Sequence, residues 1–194
     1  MNRPISPATG SPARTTPLLP NPVMAMLIFV VVEVMMFAGF ISAFVISKAQ
    51  FNVWPPPGQP RLPVEATAVN TLVLLASGIL LFVAGRKFAK DPKSARLWLL
   101  IPLVMGICFV GFQGIEWFRL LSAGLTMYSG SYGSFFYMIV GMHALHAWAA
   151  IKVLLYLYVL ALRGKLTTNA LWTGQIFWYF VVGIWPILYI LVYL

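Results

Sequence analysis

The side chains best suited to proton or metal chemistry are few: Glu33, Glu116, His143, His146 and Cys108, all inside long apolar stretches. The two histidines are the chain's only ones and lie three residues apart in Gly141-Met142-His143-Ala144-Leu145-His146. That spacing puts both on one helical face, with Ala147 and Ala150. An HxxH pair can supply two metal ligands, but a metal site needs more, and no third histidine or second cysteine completes one. Packed, hydrogen-bonded histidines are the expectation. Cys108, alone in an apolar run, reads as a small buried hydrophobe.

Glu33 lies ten residues into its apolar run, ~15 Å deep at 1.5 Å per residue, close to the middle of a ~30 Å hydrocarbon core. A bare carboxylate there costs on the order of 2.5–3.5 kcal/mol, so it needs a proton or a partner. Two roles are open: a proton-sensitive site, or a structural carboxyl that ties helix to helix. His143 falls at a similar depth on its own helix, so a Glu33–His143 pair is expected. Glu116 sits near one end of its apolar run, with Gln113 three residues earlier on the same face. No nucleophile or metal ligand accompanies it, so an interhelical hydrogen bond is expected rather than catalysis. Lys152 is expected to snorkel toward the inner surface.

The elements that position these groups follow from composition. The 194 residues are 61% hydrophobic and 9% charged, more apolar surface than a soluble domain of this length can hide. Continuous apolar runs of the required ~20 residues predict an all-α integral membrane bundle of five transmembrane helices, over about 23–47, 67–88, 97–121, 134–162 and 170–194. Residues 1–22, rich in proline, read as a mobile cytoplasmic tail, and 23–194 as one transmembrane domain. The first run is too long for a signal peptide. Helices are required because lipid cannot satisfy a free backbone amide; the runs do not alternate as β-barrel strands do. Arg3, Arg14, the basic loop Arg86–Arg96, Arg163 and Lys165 fall on one side, against Lys48, Arg61 and Arg119 on the other. This bias places the amino terminus inside and the carboxyl terminus outside. It also accounts for the net charge of +9 without nucleic acid as a partner. Small residues at Gly78, Gly106, Gly111, Gly114 and Gly141 permit close helix contact.

Several runs, in order, resemble one family. They are Glu33-Val34-Met35-Met36-Phe37-Ala38-Gly39-Phe40; Trp54-Pro55-Pro56-Pro57-Gly58; Asn70-Thr71 with Ser77-Gly78; Gln113-Gly114-Ile115-Glu116-Trp117; Tyr132-Gly133-Ser134-Phe135-Phe136; and the histidine run above. Together they are similar to cytochrome c oxidase subunit III, a haem–copper oxidase subunit, in its short five-helix bacterial form. The resemblance implies a non-catalytic chain that holds no haem or copper, those being in partner subunits. It would stabilise catalytic subunit I, beside subunit II, and support proton uptake in a bacterial inner membrane. It further implies bound phospholipid, with Arg163 as a lipid contact, and proton-sensitive or structural roles for Glu33, Glu116, His143 and His146.

The family's W-H-F-V-D run is here Trp178-Tyr179-Phe180-Val181-Val182, and Ala144 and Ala150 stand where it has glycines. These departures leave the electron donor open. The competing readings are an accessory subunit of a quinol oxidase or nitric oxide reductase of the same superfamily, and a small multi-pass transporter. The last is disfavoured by the lack of an internal repeat.

Overall fold

The computed structural model describes residues 21–93 and 95–194. These described residues form five helices: α1 (Asn21–Lys48), α2 (Val64–Lys90), α3 (Ala95–Ser122), α4 (Gly130–Leu162) and α5 (Thr168–Leu188), the last continued by a π-helical segment, Tyr189–Tyr193. All five are long and apolar enough to cross a membrane. The expected tail lies outside the described residues except for Asn21 and Pro22, which open α1. Pro22 fits there because a first-turn residue donates no intrahelical bond.

The helix ends are set by local chemistry. Thr167 caps α5, its side chain accepting from the Ala170 amide at 3.3 Å. α3 and α4 both end on a glycine of positive φ, Gly124 (+89°) and Gly164 (+66°). In each, the next amide reaches back five residues, Leu125 N to Leu120 O and Lys165 N to Leu160 O, which satisfies carbonyls left open at a helix end. α4 starts four residues before the expected span, at Gly130 rather than Ser134. The preceding loop makes this start firm. Ser129 Oγ accepts from the Thr126 amide at 2.9 Å, Ser134 Oγ donates to Met127 O at 2.7 Å, and Tyr137 OH donates to Leu125 O at 2.7 Å.

α5 is the axis of the bundle. It packs on α1, α2 and α4, and its apolar stretch is the most buried of the five, that of α1 at the edge the least. Its contacts with α2 are polar as well as apolar. Gln175 Nε2 donates to Leu81 O at 3.0 Å, Trp178 Nε1 to Ser77 Oγ at 3.2 Å, and Trp185 Nε1 to Thr71 Oγ1 at 2.9 Å. From α2, Asn70 Nδ2 donates to Phe109 O of α3 at 3.0 Å. Helices in lipid gain little from hydrophobic burial against each other, so packing and hydrogen bonds of this kind hold them.

Glycines supply the close approach. A Cβ on Gly106 would strike the Trp178 ring, one on Gly85 the Gln175 amide, and one on Gly174 a Leu157 methyl. Gly78 seats Val182, with Cγ1 3.1 Å from the same virtual position. Gly111 and Gly114, by contrast, meet nothing within 4 Å. Cys108 is exposed rather than buried. The inner stripe of α3 runs Leu99, Leu103, Gly106, Phe109 and Gln113, and Cys108 falls off that helical spacing.

A Cβ on Gly133 would strike the backbone carbonyl of Thr126, which cannot rotate away. Gly133→Ala is therefore expected to lower stability in detergent by about 1–3 kcal/mol, as overpacking does. Gly111→Ala, in open space, should be neutral or slightly stabilising. Thermal unfolding of the two variants, followed by circular dichroism, checks the contrast.

Candidate functional site

The polar centre of the bundle joins α1 to α4. Glu33 is twelve residues, ~18 Å, from the start of α1, and His146 sixteen residues, ~24 Å, from the start of α4, so both lie near mid-helix. Glu33 Oε2 and His146 Nε2 are 3.0 Å apart, with side chains 15% and 10% exposed. His146 Nδ1 is 2.8 Å from Met142 O, one turn back on α4. A carbonyl only accepts, so Nδ1 carries a hydrogen. One proton then lies between Nε2 and the carboxyl. It forms either a neutral acid–imidazole pair or a carboxylate–imidazolium pair, and the net charge is zero both ways. Phe37, Phe177 and Phe180 surround the imidazole edge-on, with ring centroids 5.6, 6.4 and 5.9 Å away. This apolar collar favours a pair without net charge.

The expected Glu33–His143 pair does not form. Three residues before His146, His143 is rotated by ~60° on the helix, which turns it toward α3 and α5. There it stacks on Trp185, ring centroids 4.7 Å apart and planes at 29°, with Phe109 edge-on at 6.3 Å. Neither of its ring nitrogens has a hydrogen-bond partner.

Glu116 also differs from expectation. It pairs within its own helix with Arg119, Oε1 to Nη1 2.6 Å, where the Arg119 side chain is 69% exposed. The interhelical bond expected of it is made one turn earlier, by Gln113 Nε2 donating to Tyr193 OH at 2.8 Å. A carboxylate beside an exposed guanidinium is neutralised locally and needs no second helix. Lys152 does not reach along α4 toward the basic end. Its ammonium folds back one turn over the Trp148 ring, 3.3 Å from the centroid, a cation–π contact. Arg163 is exposed immediately after α4.

Among the described residues, no three His, Cys, Asp or Glu side chains converge as a metal site would require. His146 has both nitrogens engaged, and the His143 ring is packed against Trp185.

Removing either partner of the central pair leaves the other unpaired at mid-helix. Glu33→Ala and His146→Phe should each destabilise, and the double variant should lose less than their sum. The coupling is expected to be about 0.5–2 kcal/mol. The same cycle with Glu33→Ala and His143→Phe should give coupling near zero. Unfolding free energies measured in mixed detergent micelles decide between the two.

The family described as cytochrome c oxidase subunit III matches residues 13–194. The chain is 34% identical over 169 residues to a probable cytochrome c oxidase subunit 3 of Mycobacterium leprae, covering 83% of this chain and 81% of that one. It is 29% identical over 177 residues to a cytochrome c oxidase subunit 3 of Thermostichus vulcanus, covering 89% and 86%. To the protein of that name in Loxodonta africana it is 32% identical over 182 residues, covering 87% of this chain and 67% of that one. With a five-helix membrane bundle on which the family's motifs fall in order, this chain belongs to the cytochrome c oxidase subunit III family of haem–copper oxidase subunits.

Proposed function

We propose that this chain is a non-catalytic scaffold of its oxidase, packed beside catalytic subunit I in an assembly that also holds subunit II, in a bacterial inner membrane. It stabilises the catalytic subunit and supports proton uptake while oxygen is reduced with electrons from cytochrome c. Haem and copper belong to the partner chains. The observation that carries this reading is where the mid-helix polar groups end. Glu33 and His146 bond each other within the bundle, and among the described residues no metal-ligating cluster forms around them. The Glu33–His146 pair, with one proton between two bases, is the proton-sensitive element of this reading.

Orientation and lipid contact belong to the same proposal. The loop after α2 and the turn after α4 meet, since Pro92, Lys93, Arg96, Gly164 and Leu166 line one cavity of about 200 Å³. The basic residues from Arg86 to Arg96 therefore gather with Arg163 and Lys165 at one end. On the positive-inside rule this basic end supports a reading in which the amino terminus is inside and Arg163 faces the anionic lipid of that surface.

Purification of the complex from native membranes in mild detergent, with mass spectrometry and a visible spectrum, tests the proposal. The chain is expected in stoichiometric amount with two larger oxidase subunits, and the haem bands should follow those subunits. Stripping this chain should leave the haem bands unchanged and shorten the lifetime of activity during turnover. Haem bound stoichiometrically by this chain alone would contradict it.

A further inference from the structure

Between α3 and α4 lies a cavity of about 420 Å³, a size at which proteins hold small ligands. Its walls are mostly apolar and include the rings of Phe109, Trp117, Trp148 and Trp185, with Gly114 on α3 and Gly141 on α4. A Cβ on Gly114 would meet nothing within 4 Å, and one on Gly141 would meet only the Trp117 ring, at 3.4 Å. The two glycines thus leave a slot open between the helices.

Three polar side chains line this slot with buried atoms that no protein group satisfies: His143 Nδ1 and Nε2, Gln113 Oε1 and Trp117 Nε1. His143 is 1% exposed and Gln113 6%. Unpartnered buried polar atoms are rare and destabilising; three side chains carrying them around one cavity mark a place where something else bonds them. Gln113 Oε1 only accepts, Trp117 Nε1 only donates, and a neutral imidazole does one of each. A hydroxyl, which donates and accepts, matches that set. No Lys, Arg, Asp or Glu lines the cavity, so a charged head group would find no counter-charge there.

We propose that this cleft binds one uncharged, membrane-soluble molecule with a ring body and a hydroxyl. The ring lies between the aromatic walls and the hydroxyl bonds Gln113, His143 and Trp117. A quinol and a saturated ring alcohol share this chemistry. The proposal stands on the cavity alone and is independent of the scaffold role above.

The test is equilibrium binding of three radiolabelled probes to the full chain in phosphatidylcholine nanodiscs: decylhydroquinone, its dimethyl ether and decylcyclohexanol. Saturable binding of a hydroxylated probe is expected, at least about tenfold tighter than the ether, which is the worth of one net hydrogen bond. Tighter binding of decylhydroquinone identifies a quinol as the natural class, and tighter binding of decylcyclohexanol a ring alcohol. Gly114→Leu, whose side chain fills the slot from a position with room for it, should lose the binding. His143→Phe should erase the preference over the ether; if that variant does not fold, Gly114→Leu decides. The proposal is overturned if the ether binds as tightly as decylhydroquinone and decylcyclohexanol, if Gly114→Leu binds undiminished, or if neither hydroxylated probe saturates.

Discussion

Lipid neither forms hydrogen bonds nor drives apolar surfaces together, and the arrangement of α5 against α2 answers both conditions at once. Gln175, Trp178 and Trp185 project from one face of α5 and end on Leu81, Ser77 and Thr71. Each donor is part of a large side chain, so the same residue fills space and closes a bond. Gly85 of α2 receives Gln175, letting those two backbones come close enough for its bond to be made, and Gly106 of α3 leaves room for the Trp178 ring. Remove the glycines and the donors no longer reach; remove the donors and close packing alone must hold the helices. The other helices are arranged around this axis, with α1 outermost.

The pair on α1 and α4 obeys the same constraint with ionisable groups. A carboxyl halfway along an edge helix is tolerated because an imidazole meets it inside an aromatic collar. Because Met142 fixes the other nitrogen, the pair has a defined single proton and two places to hold it. This tie fastens the least buried helix to the bundle. Arg119 performs the corresponding neutralisation for Glu116 within one helix, without a comparable effect on packing.

Much of this was legible in the residues, for unequal reasons. The five helices follow from the thickness of the bilayer, which demands long apolar runs whatever the details. The depth of Glu33 was legible for the same reason. Its partner was not, because periodicity gives the face of a helix and not the neighbour that the face meets; one turn separates His143 from His146, and only the placement of α1 against α4 and α5 chooses between them. The early start of α4 was hidden by Ser131-Tyr132-Gly133, a polar and small run that reads as a turn but is fixed as helix by the loop before it. The α5 ties were missed because tryptophan counts as apolar in any hydropathy reading. Their signal was the spacing of Gln175, Trp178 and Trp185, all hydrogen-bond donors on one helical stripe.

The central claim is that polar ties to α5 hold this bundle together in lipid. The most direct measurement is the unfolding free energy, in lipid bicelles, of the double variant Thr71→Val and Ser77→Ala. It keeps the shape of the α2 surface nearly unchanged and leaves two buried indole N–H groups without acceptors. A loss of about 1–3 kcal/mol relative to the unaltered chain is the predicted result. A change within about 0.5 kcal/mol, below the usual worth of one interhelical bond, would contradict the account.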